Sequence, residues 1–228
     1  MPSTDQGHLL SGHAFPSRGD VMTIDPWVQR EFYGKDGFPT FVLGESSFTK
    51  GKHGKRGDPL PPDWNQRIIS SFLENGNDNT IKRMMDVFYD APPLDREEHR
   101  KFWQSTVFAN FIQTDMGEPG TPKTSEDWDG GKPVFHRYLR ELQPQFILAV
   151  GFELWDNLPS EGRQEHHFGV RPPKGPTGKE RPCLLYPNGN GQSFVCGIRH
   201  TSQGFSPKIW RSWVKHSIEE AHRLRQFI

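Results

Sequence analysis

Four short apolar runs constrain this chain more than anything else in it. They are Phe38–Leu43 leading into Gly44-Glu-Ser46, Thr106–Gln113, Gln145–Gly151 and Ser193–His200. Such runs are too short to cross a bilayer, which takes roughly 20 residues. They are also too continuous for strands with one wet face, so they predict strands buried on both sides. Helical spacing fills the intervals. Asp63 precedes Trp64, Ile68, Ile69 and Phe72, and Asn79–Tyr89 carries Ile81, Met84, Met85 and Phe88. Further helices are expected at Asp95–Gln104, Pro133–Leu142, Phe152–Leu158 and Pro207–Phe227. In the last of these, Ile209, Trp210, Trp213, Val214, Ile218 and Leu224 recur at helical intervals. Strand alternating with helix predicts an α/β fold: a single-domain three-layer α/β/α sandwich with a central, mainly parallel four-stranded sheet. Residues 1–37 read as an N-terminal arm packed on a domain spanning 38–228, with a short helix in the arm at Ile24–Tyr33. The stretches 48–62, 117–133 and 159–181 read as loops, and Cys183–Tyr186 as a short strand.

The formal net charge is zero, which argues against coating nucleic acid by bulk electrostatics but not against a local basic face. Two segments supply such faces: Lys50, Lys52, Lys55 and Arg56 after the first strand, and Arg199, Lys208, Arg211 and Lys215 near the last helix. Solvated surface is the plain alternative for both. Cys183 and Cys196 are the two cysteines. Both sit in apolar runs, read as buried thiols with a disulfide left open, and two thiols are too few for a four-cysteine cluster. His166-His167 lacks a third ligand at recognisable spacing, so no metal is expected. Nothing in MPSTDQGHLLSGHAF resembles a secretory signal, so the expected location is cytoplasmic, without membrane contact. No cofactor and no obligatory protein partner are expected, and a monomer is the default.

Ligands of open parallel sheets bind beyond the carboxyl ends of the strands. The segments just past the four strands hold polar or small residues where a core would have none. Gly44-Glu45-Ser46-Ser47 can turn tightly. Asn110 stands alone in an apolar strand, and its amide can donate and accept at once, which suits a nucleobase edge. His200-Thr201-Ser202 precedes a helix start able to receive a phosphate. Each has a structural alternative: Asn110 as a satisfied buried amide, His200 as a strand-end residue, Glu45 as a surface ion-pair partner.

In order and context these segments resemble the uracil-DNA glycosylase superfamily. The first motif there is of the G-[QEM]-[DNA]-P type, matched here by Val42-Leu-Gly-Glu-Ser-Ser47. The strand with a base-pairing Asn matches Val107-Phe-Ala-Asn110, the strand ending in Gly matches Ile147-Leu-Ala-Val-Gly151, and the final H-P-S-type motif matches His200-Thr-Ser-Gln-Gly-Phe-Ser206. The resemblance spans residues 38–228. It implies a monofunctional DNA N-glycosylase that flips a base out of the duplex, hydrolyses its glycosidic bond and leaves an abasic site. Carried onto this chain, it puts Gly44 and Glu45 beneath the sugar of the flipped nucleotide, Glu45 also on the attacking water, Ser46 with Gly44 among the base-binding residues and Asn110 on the base edge. Phe48 stacks on the base, and His200 stabilises negative charge as the base departs. Thr201, Ser202, Lys208 and the Lys50, Lys52, Lys55 and Arg56 loop hold backbone phosphates. Residues 203–205 occupy the place of the wedge that fills the gap left in the duplex, with Phe205 as its apolar side chain.

The departures are specific. Ser47 stands where the family has Pro, Ser46 where it has Asp or Asn, and Thr201 where it has the Pro of H-P-S. With the long segments 48–62 and 159–192, they point to a bulkier substrate than uracil, such as a hydroxymethylated or glucosylated pyrimidine of phage DNA. The alternative is a non-catalytic module of the same fold that binds DNA or a modified base. An unrelated α/β hydrolase is disfavoured, because Gly44-Glu-Ser-Ser47 lacks the G-x-S-x-G nucleophile elbow.

Overall fold

The computed structural model of the chain describes residues 24–35, 37–49, 55–90, 95–174, 178–202 and 204–226. The fold is α/β, with six helices among the described residues and one six-stranded sheet. In chain order these are β1 (Thr40–Gly44), α1 (Trp64–Asn75), α2 (Asn79–Asp86), α3 (Arg96–Ser105), β2 (Thr106–Asn110), α4 (Ser125–Leu142), β3 (Phe146–Val150), α5 (Phe152–Asn157), β4 (Gln164–His166), β5 (Cys183–Pro187), β6 (Gln192–Ile198) and α6 (Pro207–Arg225).

The sheet order is β2-β1-β3-β6-β5-β4. The first four strands run parallel, while β5 and β4 are antiparallel additions. The four-stranded expectation therefore needs correcting to a mixed six-stranded sheet. The extra pair forms because β5 continues the buried apolar pattern beside β6. The edge strand β4 is polar and joins through backbone pairing with β5.

Every residue of β2 and β3 is buried, as the continuous apolar runs require. Alternate strand residues feed two cores. Val42, Phe108, Leu148, Cys196 and Ile198 pack with α1, α2, α3 and α6 on one face. Leu43, Ala109, Ala149 and Val195 pack with α4 and α5 on the other. Cys183 and Cys196 are both buried free thiols.

Three local expectations change. The Ile24–Tyr33 patch is not a helix. Trp27 forms an antiparallel bridge with Phe108, the Trp27 N–H donating to Phe108 O at 2.8 Å and the Phe108 N–H to Trp27 O at 3.1 Å. Residues 1–23 of the arm lie outside the described residues. Helix α4 begins at Ser125 rather than Pro133, because Thr124 and Asp127 form a reciprocal capping box and the helix runs on through Pro133. Ile209 does not join the apolar face of α6; it is 60 % exposed, while Trp210 and Trp213 are buried. No described helix is long and apolar enough to cross a membrane.

Candidate active site

The strand order turns back between β1 and β3, since the chain leaves β1 toward β2 and then crosses back to β3. A crevice beyond the carboxyl ends is expected at such a turning point, and Glu45, the first residue after β1, sits there. A Cβ built on Gly151, the first residue after β3, would lie 2.8 Å from Glu45 Oε2. Gly151 also has φ of 130°, a conformation open to glycine. The carboxylate thus occupies space that any other residue at 151 would fill. Its second oxygen receives the ammonium of Lys123 at 2.6 Å. Lys123, from the loop before α4, also reaches Glu153 at 2.9 Å.

On the other face of the same strand ends, Gly44 pairs in register with Asn110. A Cβ on Gly44 would fall onto Asn110 Oδ1, so the carboxamide fills the space that a side chain at 44 would take. Asn110 Nδ2 donates to Ser47 Oγ at 2.8 Å, and Trp64 Nε1 of α1 donates to the same oxygen at 2.8 Å. Ser47 therefore anchors the amide orientation from the position where the resembling family has a proline. The turn continues as a short parallel ladder. The Phe111 N–H donates to Gly44 O and the Ile112 N–H to Glu45 O, at 2.9 and 3.0 Å. Asp115, also buried, then accepts from the Thr49 and Gly117 N–H groups and from the Thr49 hydroxyl. Loop geometry after Glu45 is held by these bonds together with the apolar packing of Phe111, Ile112 and Met116.

His200 follows β6. Its Nδ1 accepts the Ser202 N–H at 3.2 Å, so the neutral ring carries its proton on Nε2. Burial pushes its pKa below the ordinary value. Glu45 acts in the opposite direction, and Lys123 adds to the lowering. The next two residues are held by Arg83 of α2, whose Nη1 donates to Thr201 O at 3.1 Å and Ser202 O at 2.9 Å.

Glu45, Asn110, Gly44, Ser46 and His200 thus collect at the carboxyl ends of β1, β2 and β6. Phe48 is half-buried beside them, packed on the α4 core. Ser46 Oγ is buried with no hydrogen-bond partner among the described residues. Ser202 is exposed, Lys208 is exposed on the first turn of α6, and Lys55 is exposed on its loop. Arg56 pairs with Asp127 at 3.0 Å. Lys50, Lys52 and residue 203 of the wedge segment lie outside the described residues.

Two assignments do not survive. Thr201 is fully buried, at 0 % exposure, so its hydroxyl faces the interior and not a phosphate. Phe205 is buried too, stacked on Trp210 with ring centroids 6.5 Å apart, and is not presented as a wedge. An apolar residue just before an amphipathic helix gains more from that core than from water. The apolar side chain exposed beside Lys208 is Ile209. Arg211 turns to the end of α2, where it bonds Asp86 O and Asp90 O, while Arg199, Lys208 and Lys215 are exposed, Lys215 pairing with Asp90 at 3.5 Å.

Sequence reasoning missed Lys123 and Ser47. Lys123 lies in a polar loop and meets Glu45 only through the fold. The Ser47 signal was present, in that a small hydroxyl beside a strand-end Gly can orient an amide.

A separate cavity of about 490 Å³ opens at the amino ends of the strands, between Pro39, Gln143, Gln145, Asn190 and Arg225. Its polar groups bond one another, Asn190 to Gln143 and Arg225 to Gln145. No acid–base pair lines it, so the chemistry points to the carboxyl ends. No protein-family model matches the sequence, and a search among curated proteins gives no match.

Proposed function

We propose that this protein is a divergent member of the uracil-DNA glycosylase superfamily, with the three-layer α/β/α architecture of that group. In this reading it hydrolyses the N-glycosidic bond of a flipped base, a modified pyrimidine or uracil. The observation that carries the reading is that Glu45, Asn110 and His200 all stand at the carboxyl ends of β1, β2 and β6, with Glu45 and His200 close enough to act on each other's charge. Each has its orientation fixed by a named neighbour.

The chemistry follows from their protonation states. Water forms a bond to C1′ as the bond from C1′ to the base nitrogen breaks. The water proton passes to the Glu45 carboxylate, and the electron pair leaves with the base. His200, uncharged and protonated at Nε2, donates a hydrogen bond to an oxygen of the departing base, where negative charge grows. The Asn110 carboxamide reads the base edge, and Phe48 offers a stacking surface. Arg199, Ser202, Lys208 and Lys55 hold phosphates, which position the duplex without reading sequence.

One observation favours a binding module instead: Ser46 stands where the family carries its water-activating Asp or Asn, and its hydroxyl is turned inward. One experiment separates the two. Purified protein is incubated with duplexes carrying uracil, hydroxymethylcytosine or its glucosylated form, and abasic sites are revealed by alkali. Strand breaks at one base are expected, with Asn110→Ala reducing the rate roughly 10- to 100-fold through loss of about 1–3 kcal/mol of hydrogen bonding. Tight DNA binding without breaks on any substrate establishes the binding module and refutes the glycosylase.

A further inference from the structure

Lys123 is far from the motif residues in the chain, yet its ammonium sits between two carboxylates of the site, 2.6 Å from Glu45 and 2.9 Å from Glu153. Its side chain is only 10 % exposed and passes over the Trp128 ring, 5.8 Å from the centroid. Withdrawing a lysine from water costs both hydration and rotamer freedom. A surface pair would leave this side chain solvated, whereas here an aromatic floor and two carboxylates hold it in one place.

We infer that Lys123 is a positioning residue of the site: it fixes the Glu45 carboxylate and cancels its field, so that a carboxylate and an uncharged imidazole can stand together at the strand ends. Among the described residues, the charged groups set against His200 are Glu45, from the end of β1, and Lys123, from the loop before α4. Arg83 of α2 binds the carbonyls of the two following residues. Glu45 alone favours the imidazolium. Both nitrogens of an imidazolium are donors, so that form loses the Ser202 N–H bond to Nδ1 and the tautomer that bond selects. Lys123 opposes this outcome, working in the same direction as burial. The placement stands by itself, while its meaning for base release rests on the function proposed above.

The test titrates His200 directly. Protein labelled with ¹³C at histidine Cε1 is followed by NMR, and the His200 signal is identified by its loss in His200→Gln. In Lys123→Met the titration is expected to move upward toward neutral pH, and in Lys123→Arg to stay with the parent. Lys123→Gln repeats the neutral substitution with a polar side chain should the methionine variant fail to fold. The acid limb of abasic-site formation moves in the same direction. The uncharged ring is the working form, so raising its pKa brings the loss of activity to higher pH, with recovery on the alkaline side. A His200 titration that is unmoved or lowered in folded Lys123→Met or Lys123→Gln overturns the inference. The NMR readout needs no turnover, so a parent protein without glycosylase activity removes the proposed function and leaves the role of Lys123 to be decided by the titration.

Discussion

Glu45→Gln is expected to slow base release by about 100- to 10,000-fold, the usual contribution of a positioned general base. The substitution keeps the shape of the side chain and removes its charge. Lys123 retains Glu153 at 2.9 Å, so the fold loses one arm of the cluster and not the whole of it. DNA binding at low salt should change little, because Glu45 is not among the residues proposed above to hold phosphates. The measurement is single-turnover cleavage under saturating enzyme, which isolates the chemical step. A rate within threefold of the parent would show that Glu45 does not handle the water, and Ser46 would become the nearest alternative.

The second large effect concerns stability and rests on two adjacent glycines of α4. Gly131 faces Phe111, the residue after β2. A Cβ there would press into the Phe111 ring and come within 2.6 Å of the Phe111 carbonyl oxygen. Gly130 faces open space, with no atom within 4 Å. In an unobstructed helix either Gly→Ala change gains about 1 kcal/mol. At Gly131 overpacking against backbone costs about 3 kcal/mol and outweighs that gain. Gly131→Ala should therefore lower the melting temperature by roughly 4–8 °C, taking a net loss near 2 kcal/mol for a chain of this size. Gly130→Ala should raise it by a few degrees. Thermal melts of the two variants decide the point, and equal shifts would mean that α4 does not approach Phe111 as closely as described.

The same helix marks where the sequence is hard to read. Gly130-Gly131-Lys132-Pro133 looks like a break, and local propensity argues for a helix beginning at Pro133. The capping box at Thr124 and Asp127 was written in the sequence, but it lies upstream of the apparent breakers. Close packing on Phe111 supplies the reason for a glycine that propensity alone cannot give. The strands were legible for the opposite reason: burial on both faces leaves short continuous apolar runs bounded by Gly and polar residues. β4 was not legible, because Gln164–His166 joins the edge through backbone pairing and needs no apolar pattern.

The site divides along similar lines. Asn110 and Glu45 stood out as polar residues at the ends of apolar strands. Lys123 did not, since its partners are set by the folded sheet order and by nothing local. Phe205 misled because position after a motif suggested exposure, while the neighbouring Trp210 offers it a buried stacking partner.

The Trp27 bridge lies on the outer edge of the sheet. β2 is the outermost strand on its side of the sheet, and its middle residue, Phe108, gives both backbone groups to Trp27. Trp27 is locked there by a 2.6 Å bond from its indole N–H to Trp103 O. A chain begun at Phe38, where the motif-bearing portion starts, would uncover that strand and offer unpaired amides and carbonyls to a second molecule. Edges of this kind seed strand-to-strand association. Trp27 thus covers the middle of the β2 edge, and removing the segment before β1 is expected to leave that edge open to pairing.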